Sequence, residues 1–563
     1  MPAWSRIAAI PFACWFGPAA ISLWATILVV LMLDPAGDYP QTLAGPGLTL
    51  DEIFNTEIGV AIADPFLAGN VPKLIQAGRL LPDHPPLGRL WLGLAHEINL
   101  LIHPPTGEHD RIVVACARTG SAAAFGLLAF LLGSVSSLWY GRMAGCGTAL
   151  AIVLMPRVFG QAHIAALETV LNVTYAAAFL SLACWWKPTS TTNSALTPQF
   201  PRFRMIILCG VLFGLALLTK IQAVFIPIPV ALWALMNWRW RAIWPLLLWV
   251  LVGLTVFFVG WPWLWLDPVG HVLNYLGHAK ERPTIYVWYL GRQFADRDVP
   301  WHYPCMLFAT TIPAGLHLLG LWGLLVKTPG TLTTNPVARS SNGPVRNWLA
   351  SREALIAGAI LFPLFVFSLP GIAVYDGERL FSIVFPLWGL FIGRGLAAAY
   401  AWLARLMIPK LAGILLAGFL ICQSPGLIRL SPCWLSYYNC LVGGLYGAEW
   451  LGFQTTYWGD SVTRELLFET ANVVPAGSTI DFLPVQHPFQ LAALESQCPI
   501  LRTRQIKLRG FDERRPDPAK YLLVFQRRDY WPKDWPDGPQ PYTLLSQVSR
   551  EGVTLAALYE RRE

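Results

Sequence analysis

The chain has 563 residues and a formal net charge of +8; 55% of its residues are hydrophobic and only 13% are charged, about half the charged share of soluble globular domains. A soluble chain of this length needs several domains with polar linkers, and the first three quarters contain almost none. The positive balance does not point to nucleic acid, because no basic run carries interleaved aromatics and Lys and Arg fall in short clusters between apolar stretches.

Crossing a bilayer takes about 20 mostly apolar residues. That rule predicts about eleven spans, near 13–33, 112–138, 143–160, 163–186, 205–220, 222–237, 242–262, 304–326, 354–374, 380–402 and 408–425. The 26 Trp suit the headgroup layer. Arg142, Arg202, Arg204, Arg239, Arg241, Arg352, Arg394, Arg405 and Lys410 share one side of this assignment with Arg6, Lys187, Lys327, Arg339 and Arg346. The positive-inside rule makes that side cytoplasmic. The first segment is not read as a cleaved signal peptide, because it lacks a clear small-residue cleavage site and further spans follow. The opposite side carries a loop over 34–111, a loop over 263–303 and a tail from about 426. The expected division is a membrane domain over 1–425 and an extracytoplasmic domain over 426–563.

The tail is rich in Asp, Glu, Arg and Pro. Runs at Thr479–Val485, Tyr521–Phe525 and Val553–Tyr559 predict strands, and Ser461–Asn472 predicts a helix, so a small α/β domain is expected. The stretches at 188–201 and 328–344 read as cytoplasmic linkers. Ten Cys occur without a CxxC pair, which offers no zinc or redox motif. Cys433, Cys440 and Cys498 alone bear on a disulfide.

Chemistry-bearing residues collect on the outer side. Asp51 and Glu52 lie in the first outer loop, some way past the first span, beside an apolar stretch, Ile58 to Leu67, that suits a membrane surface. A partly desolvated carboxylate there is placed to act as a base. Pro82-Asp83-His84-Pro85-Pro86-Leu87-Gly88-Arg89 comes next, an extended approach to a helical run through Trp91, Leu94 and Ile98. Pro156-Arg157-Val158-Phe159-Gly160-Gln161-Ala162-His163 precedes Glu168, an acid at a helix end that needs a cavity or a partner. Lys220 and Gln222 belong to the same layer, although a short loop snorkelling to water explains them equally well. His271, His278, Lys280, Arg282, Arg292 and Arg297 gather in the 263–303 loop, before Pro300-Trp301-His302-Tyr303-Pro304. These cations break the positive-inside pattern and point to a bound anion, with Asp296 and Asp298 offsetting part of them. Tyr375-Asp376-Gly377-Glu378-Arg379 then places Arg379 against the dipole of the next helix, which favours an anionic partner.

Taken together, these strings resemble the dolichyl-phosphate-mannose protein mannosyltransferase superfamily (glycosyltransferase family 39), whose bacterial relatives include the lipid A aminoarabinose transferase. The resemblance runs from about residue 45 to about 480 and includes Tyr437-Tyr438-Asn439, Gly443-Gly444 and Thr456-Tyr457-Trp458-Gly459. It implies a C-type glycosyltransferase fold, a polyprenyl-phosphate sugar as donor, and inverting transfer on the outer membrane face. By the same resemblance Asp51 is the base and Glu52 its acidic neighbour. His84, Arg89, Lys220, Arg282, Arg292 and Arg379 are expected at the donor phosphate, and His163, Glu168, His302, Tyr303, Tyr375 and Asp376 around the substrates.

Arg89 stands where the family usually has Lys, and Glu168 where Asp is expected. The 263–303 loop has no room for the large lumenal domain of the eukaryotic enzymes, so a bacterial-type member of an inner membrane is expected. The acceptor is a protein, lipid or glycan hydroxyl. No cofactor and no metal ligand set are implied, and a divalent cation is left open. The alternative from another class is a transporter or flippase for a lipid-linked sugar. It fits less well, because transporters bind near the midplane between inverted repeats.

Overall fold

In the computed structural model, residues 13–102, 112–186, 200–281, 283–326, 348–484, 486–532, 535, 538–539 and 541–562 are described. Arg282, the 328–344 linker and nearly all of the 188–201 linker lie outside them.

The membrane part opens with α1 (Ala13–Val30), then α2 (Glu52–Leu67), α3 (Val71–Ala77) and α4 (Pro86–Ile102) in the first outer loop. Next come α5 (Val114–Tyr140), α6 (Arg142–Val153), α7 (Pro156–Gln161), α8 (Leu167–Trp185), α9 (Phe203–Leu217), α10 (Pro227–Trp238) and α11 (Ile243–Gly260). A second outer segment holds α12 (Pro268–Glu281) and the hairpin β1 (Tyr286–Tyr289) and β2 (Arg292–Ala295). The bundle is completed by α13 (Tyr303–Thr310), α14 (Ala314–Leu325), α15 (Arg352–Phe367), α16 (Val384–Leu406) and α17 (Pro409–Ile421).

The protein is a polytopic α-helical membrane protein. Among the described residues five helical stretches are long and apolar enough to cross a bilayer: Val114–Tyr140, Leu167–Trp185, Ile221–Gly260, Val384–Leu406 and Pro409–Arg429. The pair α13 and α14, bent by 106° at its break, counts as a sixth if the two form one span. The other expected spans are shorter helices, and the breaks have local causes. Proline disfavours the helical conformation in the residue before it and starts a new helix well. The 143–160 segment therefore divides where Met155 is extended ahead of Pro156, and 304–326 divides ahead of Pro313. Ile221–Gly260 contains two of the expected spans, joined at a turn where Arg239 takes a φ of 54°.

Small residues let the helices that carry the site approach closely. A Cβ on Gly93 of α4 would fall 2.0 Å from the Gly59 carbonyl oxygen of α2. This contact holds the first turns of the two helices together, with Arg89 Nε 3.4 Å from Asn55 Oδ1.

After α17 come α18 (Pro425–Arg429), α19 (Gly444–Trp450) and α20 (Arg464–Val473). The α/β unit is then built from β3 (Thr479–Leu483), α21 (Pro488–Gln497), α22 (Pro499–Thr503), β4 (Lys507–Gly510), β5 (Tyr521–Phe525), β6 (Tyr542–Arg550) and β7 (Val553–Arg561). Its sheet order is β4-β3-β5-β7-β6. β3 runs parallel to β4 and β5, with Ile480 opposite Tyr521, and β7 is antiparallel to β5, with Leu558 opposite Leu523. β6 and β7 are joined by Glu551-Gly552, both at positive φ (49° and 82°), the geometry that suits a two-residue hairpin turn. Cys433, Cys440 and Cys498 are free thiols.

Candidate active site

The site is organised by the turn between α15 and α16. Asp376 has a φ of 52° and Gly377 one of 62°, and a non-glycine residue in this left-handed region costs on the order of 1 kcal/mol. A Cβ on Gly377 would meet the Tyr457 ring at 2.7 Å, so only glycine fits. The turn sends three charged side chains to partners from distant parts of the chain. Glu378 pairs with Arg157 and accepts from Tyr457 Oη at 3.4 Å. Asp376 accepts from Arg379 Nη1 and from Arg527 Nη2, both at 2.9 Å. Arg379 also donates through Nε to Glu168 at 2.9 Å and through Nη2 to Asp51. Its guanidinium carbon lies 4.0 Å from the centre of the Trp458 ring. Burial works against the charge on Arg379, but Asp51, Glu168 and Asp376 outweigh it and hold the pKa well above the ordinary value.

Around this centre, Lys220 at the end of α9 donates to Glu168 in the first turn of α8 at 2.6 Å. Arg89 grips Asp83 with two bonds, at 2.7 and 3.2 Å, and donates to the Leu81 carbonyl at 2.8 Å. His84 lies beside Asp83; burial, opposed by Asp83, lowers its pKa to about 4, so it is neutral at pH 7. A cavity of about 480 Å³ is lined by Asp51, Asp83, His84, Glu168, Lys220, Arg379 and Gln490, among others. Glu168 Oε2 and His84 Nδ1 are buried there without a protein partner among the described residues. Beside it, between α2 and the Pro488-Phe489 end of α21, runs a mostly apolar groove of about 820 Å³ lined by Phe54, Ile58, Leu80, Leu81 and Phe489.

The two carboxylates of the first loop part company. Asp51 is the N-cap of α2, with its side chain 38% exposed towards the cavity. Glu52, one residue on, is fully buried on the other side, where it accepts from Arg118 Nε and Nη2 (both 2.7 Å), Thr49 N (2.8 Å) and Ala165 N (2.6 Å). Of the other expected site residues, Arg89, His84, Lys220, Glu168, Asp376 and Arg379 come together. Tyr375 is half-buried and near enough to act on the charge of Arg379.

His163, Arg292, His302 and Tyr303 are not among the residues that line the cavity, and Arg282 lies outside the described residues. His163 is buried against Trp434, ring centroids 4.3 Å apart, with Nδ1 on the Phe159 carbonyl at 2.8 Å. His302 bonds Tyr289 Oη at 2.8 Å, and Tyr303 packs edge-on to the same ring. Arg292 is exposed on the β1–β2 hairpin. Among the described residues no group of three or more His, Cys, Asp or Glu is placed to hold a metal ion.

Residues with little or no signal in the sequence also matter here. Asp83 was legible only as part of a string, and Arg527, Gln490 and Arg118 carried no motif. Asp460 supports the floor: its backbone carbonyl accepts from Gly47 N at 2.7 Å, pinning the loop ahead of Asp51. Its carboxyl is buried with Oδ2 unpartnered among the described residues and Oδ1 3.3 Å from Thr456 Oγ1, and burial raises its pKa to about 7. The folded chain therefore keeps this proton up to about pH 7, while the unfolded chain releases it near pH 4. Stability from this group is complete below the lower value and is lost as pH rises through the upper one. Asp460→Asn should therefore gain on the wild type as pH rises from 5 to 8, by about 1–3 kcal/mol. Thermal unfolding in nanodiscs at the two pH values checks this; an equal difference at both would show that Asp460 does not titrate in this way.

No family model matches the chain, and no curated protein sequence matches it significantly. Among solved structures, the ArnT of Cupriavidus metallidurans in the apo state aligns with a TM-score of 0.49 at 12% identity, covering 96% of each chain. The same protein bound to undecaprenyl phosphate gives 0.45 at 13%, covering 99% of this chain and 98% of that one. The oligosaccharyltransferase AglB of Archaeoglobus fulgidus, in complex with an inhibitory peptide and a dolichol-phosphate, gives 0.42 at 10%, covering 90% and 69%.

Proposed function

We propose that this chain is a membrane glycosyltransferase of the C-type fold, moving a sugar from a polyprenyl-phosphate donor to an acceptor hydroxyl. The observation that carries this reading is one half-exposed carboxylate, Asp51, facing a cavity that also holds Arg379 and Lys220, beside an apolar groove. Such a cavity suits a phosphate, and such a groove suits the lipid that bears it. In the reaction the acceptor oxygen attacks the anomeric carbon while Asp51 takes its proton. The bond from that carbon to the phosphate oxygen breaks, and the polyprenyl phosphate leaves with the electron pair. Charge grows on the bridging oxygen, where Arg379 and Lys220 stabilise it. A single displacement inverts the sugar carbon. A second, covalent carboxylate is not needed, and Glu52, held by Arg118, faces elsewhere.

His84 is neutral and able to hydrogen-bond a substrate hydroxyl, and Glu168 Oε2 can accept from another. The helix ends that carry Arg142, Arg202, Arg204, Arg239 and Arg241 are cytoplasmic in this reading, so the cavity opens on the extracytoplasmic face of a bacterial inner membrane. The acceptor is a protein, lipid or glycan.

The test uses purified protein in nanodiscs with a panel of labelled polyprenyl-phosphate sugars and membrane extract as the acceptor source. Consumption of one donor with matching release of polyprenyl phosphate is expected, and a transporter would leave every donor intact. Arg379→Ala should weaken binding of undecaprenyl phosphate at least about tenfold, a change of about 1.4 kcal/mol. Equal affinity of the wild type for undecaprenol and undecaprenyl phosphate would overturn the phosphate site.

A further inference from the structure

We infer that Arg527, in the C-terminal α/β unit, is a positioning residue for Arg379, acting through Asp376. Its catalytic consequence rests on the transfer reaction proposed above; its geometry does not.

Arg527 lies just past the carboxyl end of β5 and is 4% exposed. Its guanidinium spends each nitrogen on a different acceptor: Nε on Asp529 at 3.1 Å, Nη1 on the Tyr457 carbonyl at 2.8 Å, and Nη2 on Asp376 at 2.9 Å. The far oxygen of Asp376 holds Arg379 Nη1. Arg379 then has Nε for Glu168 and Nη2 for Asp51. Asp376 is thus a bridge with one oxygen for each arginine, in a turn whose left-handed backbone fixes where that bridge stands.

Without Arg527, a buried carboxylate oxygen of Asp376 loses its cation. The nearest replacement is Arg379, which can close a two-pronged pair on Asp376 only by turning Nη2 or Nε away from Asp51 or Glu168. A lysine at 527 carries the charge on one nitrogen and lacks the planar fork that satisfies three acceptors at once.

The placement of the unit supports this role. In open sheets with parallel strands, ligand contacts gather beyond the carboxyl ends of those strands. β3 and β5 are a parallel pair; the segment leaving the carboxyl end of β5 reaches Asp376, and that leaving the carboxyl end of β3 lines the cavity. After β3 come His487 and Gln490, which line it, Gln490 Nε2 donating to the Leu50 carbonyl at 2.7 Å just ahead of Asp51. After β5 comes Arg527. The segment around Arg527 is also moored independently, since Asp529 accepts from Gln454 Nε2 at 2.8 Å and its carbonyl from Gln293 Nε2 at 2.6 Å. Removing the guanidinium therefore leaves the unit seated.

The experiment compares wild type, Arg527→Gln, Arg527→Lys, Arg379→Lys and the Arg527→Gln/Arg379→Lys double variant, as full-length protein in nanodiscs. Undecaprenyl phosphate is the probe, and cryo-electron microscopy gives the side-chain positions. Arg527→Gln should bind the probe about tenfold more weakly, Arg527→Lys should recover part of that loss, and in the Arg379→Lys background the same change should cost much less. The structure of Arg527→Gln should show Arg379 drawn off Asp51 or Glu168 onto Asp376. Additive effects, or an Arg379 that keeps both contacts in Arg527→Gln, would overturn the inference. If the wild type binds no polyprenyl phosphate, the transfer reading falls, and the position of Arg379 alone decides the role of Arg527. Should Arg527→Gln fail to fold, the same two readouts on Arg527→Lys decide it.

Discussion

Asp51→Asn is expected to abolish sugar transfer while leaving the protein folded and inserted. The substitution keeps the side-chain volume at the N-cap of α2 and removes the group proposed to take the acceptor proton. A positioned base contributes about 10²–10⁴-fold, so the single-turnover rate at saturating donor should fall by at least about a hundredfold. Donor binding should survive, because Arg379 keeps Glu168 and Asp376 as partners and faces one negative charge fewer. The measurement is transfer from a polyprenyl-phosphate sugar with donor affinity determined in parallel. A rate above about a tenth of normal would sink the role assigned to Asp51.

Glu52→Gln, one residue along, should fail for a different reason. Glu52 is the counter-ion of Arg118, and both side chains are fully buried. Arg118 also donates to the carbonyls of Leu33, Pro46 and Gly47, so this pair ties α2 and α5 to the loop that carries Asp51. An amide in place of the carboxylate turns an N–H group or a weaker oxygen toward the guanidinium and leaves the cation uncompensated. Breaking a buried pair in this way costs about 3–5 kcal/mol. The variant should show a much lower unfolding temperature and poor yield, and the Glu52→Gln/Arg118→Met double variant should be less damaged than the two single losses together imply. A Glu52→Gln protein of normal stability with lost transfer would instead place Glu52 in the chemistry.

Much of the site was legible because of where its residues fall along the chain. Glu168, Lys220 and Arg379 each sit near the end of an expected span, Asp51 falls in the loop after the first span, and alternating passes put all four at one face. What the residue order could not tell was direction. Adjacent residues at the start of a helix point about 100° apart, so an acidic pair reads as one feature although Asp51 meets the cavity and Glu52 meets Arg118. The cations of the 263–303 loop read as an anion site from their number, yet Arg292 stands exposed on a hairpin, because a charge count carries no distance. His163 read as a polar group of the outer turn, whereas its ring packs on Trp434 as part of the interior.

The tail was half legible. Strands β3, β5 and β7 are apolar runs that declare themselves. The edge strands β4 and β6, Lys507–Gly510 and Tyr542–Arg550, alternate polar residues and look like loops until they pair. Arg527 had no signal at all, since its meaning comes from a contact across 151 positions.

The order of these residues along the chain sets a timetable for synthesis. Translation proceeds at about 5–20 residues per second, so Arg527 is made on the order of half a minute to a minute and a half after Asp51. Over that interval Asp51, Glu168 and Lys220 are made ahead of the turn bearing Asp376 and Arg379, and the arginine network cannot close until the tail has been made and has folded. On the reading proposed above, a nascent chain therefore stays incompetent until the segment bearing Arg527 has folded onto that turn.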